Sequence, residues 1–215
     1  MTTAVANSRA YYQDKIASHG PCPAGVDWGH EQAQVKRFEQ LLQLIPAHAW
    51  RHRPSLNDLG CGYGALLGYL KTQDLQADYL GIDLVPDMID AGRQRWGAQG
   101  DFTVGAVCPR EADYSVASGL FNVRNKTPED DWQDFIVHTL DDLNFHSRLG
   151  FAFNCLTRYS DPEHMRPHLH YGDPLWFFDW CKRKYSRNVA LLHDYDLYDF
   201  TIIVRKDAAF AAWTR

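Results

Sequence analysis

The residues of this chain best able to do chemistry stand in one short run, Ser55-Leu56-Asn57-Asp58-Leu59-Gly60-Cys61-Gly62-Tyr63-Gly64-Ala65-Leu66-Leu67. An apolar strand that ends in a carboxylate and enters three alternating glycines lets the backbone double back closely. The amides of the following helix are then expected to aim at a ligand held against the turn. Such a turn suits a nucleotide-type ligand, and Asp58 selects among them: a carboxylate repels a pyrophosphate but accepts hydrogen bonds from an ammonium group. A second carboxylate, Asp83, closes the strand-like run Tyr79-Leu80-Gly81-Ile82-Asp83. In a strand-helix-strand unit the two strands lie parallel and adjacent, which places Asp83 beside the turn, able to accept both hydroxyl protons of a ribose.

Groups that could move a proton are sought on the same rim. Ser118-Gly119-Leu120-Phe121-Asn122 leaves a fourth strand-like run, Asn154 ends a fifth, and His193-Asp194-Tyr195 follows a sixth. His193 is the expected base, because an imidazole titrates near neutrality and its neighbours could orient it, with Asn122 as a second catalytic candidate. The competing reading makes His193 a structural hydrogen-bond partner. Arg158 and the histidines of the polar stretch Thr157 to Asp173 could stand above the rim, a connection long enough to be an active-site loop. His164, His168 and His170 lie within it, but no carboxylate or cysteine falls into a familiar ligand spacing, so no metal is expected.

The elements that position these groups follow from periodicity. Helices are expected around Ala4 to Ile16, over Val35 to Ile45, from Leu66 to Lys71, from Pro86 through Trp96, from Thr127 past Leu143, and over Leu175 to Tyr185. Further strands are expected at Phe102 to Val104, Tyr114 to Ser118, Phe151 to Leu156, Asn188 to His193 and Tyr198 to Arg205. The residues between the last two are too few for a parallel crossover, so the final strand must be antiparallel. The fold class is therefore α/β: a Rossmann-like, seven-stranded, mostly parallel sheet with a C-terminal antiparallel hairpin strand, helices on both faces and an N-terminal helical extension. Residues 1–50 form the extension and 51–215 the main domain, as one structural unit. Trp28, on a loop between the first two helices, either folds over the site as part of a lid or anchors the extension to the core. Tyr11, Tyr12, Phe121, Trp176 and Tyr195 are candidate pocket walls, although large aromatics mainly supply buried area.

With 45% hydrophobic and 23% charged residues, the composition is that of an ordinary globular protein, and a net charge of -5 argues against a nucleic-acid surface. No apolar run approaches the roughly 20 residues of a membrane span, and the N-terminus lacks signal-peptide character, so a cytoplasmic location is expected. Cys22, Cys61, Cys108, Cys155 and Cys181 are odd in number and widely spaced, which suggests neither a disulfide framework nor a zinc knuckle.

From Ser55 to Arg205 the chain resembles the class I S-adenosylmethionine-dependent methyltransferases. The resemblance rests on Asp58-x-Gly60-x-Gly62-x-Gly64, on Asp83, on Gly100-Asp101-Phe102 and on the terminal hairpin. It implies that Asp58, Gly60 and Gly62 contact the methionine end of S-adenosylmethionine, Asp83 the ribose, and Asp101 with Phe102 the adenine. Cys61, Gly64, Leu84, Ser118, Gly119 and Trp28 complete the implied cofactor contacts, and S-adenosylhomocysteine would be the product. The N-terminal Tyr11-Tyr12-x-x-Lys15, Val26-Asp27-Trp28 and Arg37-Phe38 also look like a bacterial subgroup of unknown substrate. Ser118 to Asn122 departs from the Asn/Asp-Pro-Pro-Tyr/Phe box of base and glutamine methylating enzymes, which argues against base or glutamine methylation, and the acidic balance favours a small-molecule acceptor, methylated on oxygen or nitrogen. Two other readings stay open: a non-catalytic protein that binds S-adenosylmethionine or S-adenosylhomocysteine, and an NAD-dependent oxidoreductase, because Gly60-x-Gly62-x-x-Ala65 fits the loose dinucleotide fingerprint.

Overall fold

The computed structural model describes residues 2–26 and 31–206. Strands β1 (Ser55–Leu59), β2 (Asp78–Asp83), β3 (Asp101–Val104), β4 (Ala112–Ala117), β5 (Ser147–Leu156), β6 (Asn188–Leu192) and β7 (Asp199–Arg205) form one sheet in the order β3-β2-β1-β4-β5-β7-β6. The pairs β1–β2, β2–β3, β1–β4 and β4–β5 are parallel, and β7 runs antiparallel to both β5 and β6. The short connection before β7 therefore has the consequence expected of it. The strand order reverses at β1, so the crevice beyond the carboxyl ends of β1 and β4 is where an open α/β sheet binds its ligand.

Helices α1 (Thr3–His19), α2 (Glu31–Leu42), α3 (Ala65–Thr72), α4 (Pro86–Trp96), α5 (Glu129–Phe145) and α6 (Pro174–Lys184) surround the sheet. Alternation along each strand divides the core between two faces. On one, Phe38 and Leu41 of α2, Leu66 and Leu70 of α3 and Ile89 of α4 pack on Leu56, Tyr79, Val116 and Ile203. On the other, Trp132, Ile136 and Leu140 of α5 and Phe177 of α6 pack on Leu59, Ile82, Phe151, Phe153 and Ile202. Helix starts obey local chemistry: Pro occupies the first turn of α4 and α6, and Asp173 caps α6 by accepting from the amides of Leu175 and Trp176.

Helix α2 is part of the sheet's own packing rather than an appendage. Its Arg37 reaches Asp199 at the start of β7 with two hydrogen bonds, Nε to Oδ1 at 3.0 Å and Nη2 to Oδ2, and both residues are buried. Helix α1 crosses above the carboxyl ends of the strands. Its Ile16 joins Tyr63, Val85 and Met88 in a small third cluster over the glycine turn, with Tyr12 and Val26 packed against it. Two polar links hold it there: Gln13 Nε2 donates to Asp87 Oδ2 on α4 at 2.5 Å, and Asn7 Nδ2 donates to Thr127 Oγ1 at 3.0 Å.

Candidate active site

The glycine turn is shaped by its bonds to β2. The amides of Gly60 and Cys61 donate to the carbonyl of Ile82 at 2.8 and 3.0 Å, and that of Gly62 donates to Asp83 Oδ2 at 2.9 Å. These three amides precede α3 and fix the turn against the neighbouring strand. Gly62 has φ +55, and a Cβ there would stand 2.8 Å from Val26 Cγ1, so conformation and space both demand glycine.

Asp83 is held at both oxygens, because the amide of Val85 donates to Oδ1 at 2.9 Å. Burial raises its carboxyl above the ordinary value, and the backbone bonds from Val85, Gly62 and Leu84 oppose that rise. Asp58 is 2% exposed and accepts a 2.6 Å hydrogen bond from Tyr79 Oη on Oδ2. Burial pushes its carboxyl up to about 7, Tyr79 pulls it down and the charge of Asp83 pushes it further up.

These groups border two connected spaces. A cleft of about 760 Å³, counting its open mouth, runs beneath α1 from Gly105 and Ala106 past Asp83 and Leu84 to Gly60, Gly62, Ser118, Gly119 and Leu120. Val5, Ser8 and Tyr12 of α1 form its roof, and Phe135 of α5 forms part of its wall. Behind the turn lies a recess of about 320 Å³ bordered by Asp58, Cys61, Tyr63, Gln34 and Phe38, which shares Val26, Gly60, Gly62 and Ser118 with the cleft. One carboxylate thus stands on the cleft and another in the recess, with the glycine turn between them. The pair suits a ligand with a diol at one end and an ammonium group at the other.

The predicted site residues divide accordingly. Asp58, Gly60, Cys61, Gly62, Asp83, Leu84, Ser118 and Gly119 come together around the two spaces. Gly64 begins α3 and packs toward Phe102 and Trp96, bordering neither. Asp101 and Phe102 require correction. Asp101 opens β3 and is exposed, Phe102 is buried in the α2–α4 face of the core, and neither borders the cleft. A ligand binds at the carboxyl end of a strand, and the chain reaches that end only at Gly105 and Ala106. Trp28 lies outside the described residues.

Neither catalytic candidate borders the cleft. His193 is exposed beyond β6, the edge strand, with β7 and β5 between it and β4, and its ring faces Tyr159 and Phe200. Asn122 is buried as a clamp: Oδ1 accepts from the amide of Leu156 at 3.0 Å and its carbonyl from the amide of His170 at 2.8 Å. Asn154 likewise tethers the loop after β4, accepting from the amide of Gly119 at 2.6 Å and donating to Ser118 Oγ at 3.3 Å. Of the aromatic candidates, Phe121 and Tyr195 are buried in the core, and Trp176 stacks on Trp180. Tyr12 does border the cleft, and Tyr11 stands 6.3 Å from the ring of His168. His170 packs against Trp132, and burial with the nearby Arg124 lowers its imidazole to about 4, which keeps it neutral. His164 groups with Asp161 and Glu163 on the surface, their ligand atoms within 4.8 Å of one another, apart from His168 and His170.

Sequence reading missed Val5, Ser8, Gln34, Gly105, Ala106 and Phe135. A signal existed for the roof: Val5, Ser8 and Tyr12 follow at helical spacing, one face of α1 with a hydroxyl in its middle. Gln34 is buried at 6% exposure on the inward side of α2, and unlike the equally buried Arg37, which Asp199 claims, it borders the recess.

A family model described as "Methyltransferase domain" matches residues 57–123, from β1 through the loop after β4. The protein named "Putative methyltransferase Rv1506c" of Mycobacterium tuberculosis is 58% identical over 154 residues, which cover 71% of this chain and 93% of that protein. Among solved structures, magnesium protoporphyrin IX methyltransferase (ChlM) from Synechocystis PCC 6803 with bound SAM superposes with a TM-score of 0.65 at 12% identity, covering 96% of this chain and 99% of the other. Human N-acetylserotonin methyltransferase in complex with SAM gives a TM-score of 0.59 at 14% identity, covering 95% of this chain and 67% of that enzyme. At such identities these two structures carry the fold alone.

Proposed function

Since the chain belongs to the class I S-adenosylmethionine-dependent methyltransferases, we propose that it transfers a methyl group to an oxygen or nitrogen of a small molecule, and that the cleft and recess together hold the cofactor. The observation that carries this reading is the placement of two anchored carboxylates on either side of the glycine turn. In the proposed arrangement Asp83 receives the ribose hydroxyls, and Leu84, Gly105, Ala106 and Phe135 border the adenine end of the cleft. Asp58 with Gln34 receives the amino-acid end in the recess. When bound, the cofactor would supply an already activated methyl group, and Ser118, Gly119 and the α1 roof would border the acceptor beside it.

The chain's own contribution is alignment and exclusion of water. Among the described residues, Asp83 and Tyr12 are the ionisable side chains on the cleft, and Asp83 is already engaged by two amides. An acceptor therefore fits best if it brings its own nucleophilic lone pair, as a carboxylate, a phenolate or a neutral amine does. The roof formed by α1 favours a compact acceptor over a polymer, and the net charge of -5 disfavours a nucleic acid.

The test is methyl transfer from isotopically labelled S-adenosylmethionine to panels of small carboxylates, phenols and amines, alongside total RNA and protein. Transfer to a member of the small-molecule panels supports the reading. Transfer confined to RNA or protein overturns it, and tight binding of S-adenosylhomocysteine without transfer to any panel favours a non-catalytic binding protein. No described helix is long and apolar enough to cross a membrane.

A further inference from the structure

Tyr79, the second residue of β2, puts a hydroxyl into a buried parallel strand. It is 2% exposed, and its hydroxyl reaches along the sheet face to Asp58 Oδ2 at 2.6 Å. The strand register explains how. Tyr79 pairs with Leu56 and Asp58 with Gly81, so Tyr79 and Asp58 stand on the same sheet face two register positions apart. A Cβ at Gly81 would stand 2.8 Å from both Cys61 Sγ and Phe102 Cδ1, so these side chains pack directly on the glycine. Asp58 Oδ2 is thereby committed to Tyr79. Among the described residues Oδ1 has no hydrogen-bond partner, and Asp58 borders the recess.

We propose that Tyr79 is a positioning residue for cofactor binding: by holding Oδ2 it keeps the carboxylate of Asp58 turned so that Oδ1 receives the ammonium group of the cofactor's amino-acid end. This rests on the reading of the recess as the amino-acid subsite. Tyr79 also acts on the charge of Asp58, because a donor hydrogen bond favours the ionised carboxylate against the burial that disfavours it. The titratable neighbours of Asp58 are Tyr79 and Asp83 from β2 and Cys61 from the turn; Tyr63, its hydroxyl raised by burial, and the uncharged Gln34 of α2 border the same recess. Burial raises the Cys61 thiol and the Tyr79 hydroxyl well above their ordinary values, so both stay protonated, and Tyr79 is a donor throughout the working range. Among the described residues no cation pairs with Asp58. The ligand's ammonium group is then the charge that completes the site, and it binds the ionised form.

The test is calorimetric binding of S-adenosylhomocysteine to the wild-type protein, Tyr79→Phe and Asp58→Asn between pH 6 and 8.5. Wild-type affinity is expected to weaken about tenfold from pH 8 to pH 6, as the carboxylate takes up its proton. Loss of one hydrogen bond to a charged group corresponds to about a tenfold change in the proton affinity of Asp58. Tyr79→Phe should therefore bind more weakly than wild type at every pH, because the carboxylate is no longer held in place, with a deficit about fourfold larger at pH 7 than at pH 8.5 because its ionisation also moves up, and Asp58→Asn should bind weakly with this pH dependence gone. A Tyr79→Phe curve parallel to wild type, offset equally at every pH, marks a merely structural tyrosine and overturns the proposal.

If Tyr79→Phe does not fold, proton NMR of the wild-type protein decides. A slowly exchanging Tyr79 hydroxyl proton that persists in the bound state supports the clamp, and its loss on binding overturns it. Absence of S-adenosylhomocysteine binding to wild type at pH 8.5 overturns the cofactor-site reading itself, an outcome distinct from parallel curves.

Discussion

Asp83 organises the turn and faces the cleft with the same carboxylate. Its Oδ2 accepts from the amide of Gly62 and its Oδ1 from that of Val85, so the lone pairs left for a ligand are pre-aimed. Asp83→Ala should accordingly lower S-adenosylhomocysteine affinity by more than tenfold in calorimetry, since it removes the proposed diol acceptor and frees the turn together. Gly62→Ala should do the same while leaving Asp83 in place, because its Cβ would meet Val26 at 2.8 Å in a φ +55 conformation. His193→Ala should leave both binding and methyl transfer unchanged, as the imidazole stands exposed beyond the edge strand. Asp58 sets function against stability. Its folded carboxyl at about 7 lies above the unfolded value near 4, so its favourable contribution to folding is complete below about pH 4 and is lost as pH rises through 7. Asp58→Asn should therefore unfold at a higher temperature than wild type at pH 8.5 without ligand, with the advantage shrinking at pH 6. A scan showing the opposite order would mean that the carboxylate is stabilised there by charge the structure does not contain.

At the scale of elements, α1 decides how a ligand enters. It roofs the cleft with Val5, Ser8 and Tyr12 and is latched at both walls, through Gln13 to Asp87 and through Asn7 to Thr127. A partly exposed hydrogen bond is worth roughly 0.5–1.5 kcal/mol. The double substitution Gln13→Ala with Asn7→Ala should thus speed S-adenosylhomocysteine release by about five- to 150-fold in stopped-flow measurements, and lower the unfolding temperature by several degrees. An unchanged release rate would make α1 a fixed wall rather than a lid. The elements themselves were legible in the sequence, because turn glycines, helix-start prolines and apolar periodicity are local signals. What was hidden is where each element stops relative to the rim. Asp101 and Phe102 look right by spacing, but β3 begins at Asp101, and three further residues separate the strand base from the ligand edge. Asn122 and Asn154 carry polar groups in the right region, yet backbone amides at 2.6–3.0 Å claim them, and such partners are set by tertiary structure.

For the whole molecule, the sheet order and the two-faced core place every retained site residue at the reversal of strand order, and the buried Arg37–Asp199 pair holds α2 against β7 just behind it. Removing one member strands a buried charge, at a cost of about 3–5 kcal/mol. Asp199→Ala should therefore lower the unfolding temperature markedly, whereas replacing the exposed Asp179 that pairs with Arg183 should leave it nearly unchanged. The terminal hairpin occupies the sheet edge where a dinucleotide-binding fold would carry its second nucleotide-binding half, and Asp58 stands where a pyrophosphate would be repelled. The most direct test of this assignment is parallel calorimetric titration of the wild-type protein with S-adenosylmethionine, S-adenosylhomocysteine and NAD at pH 8. The account predicts micromolar binding of the first two and none of NAD. Binding of NAD alone, or of none of the three, would contradict it.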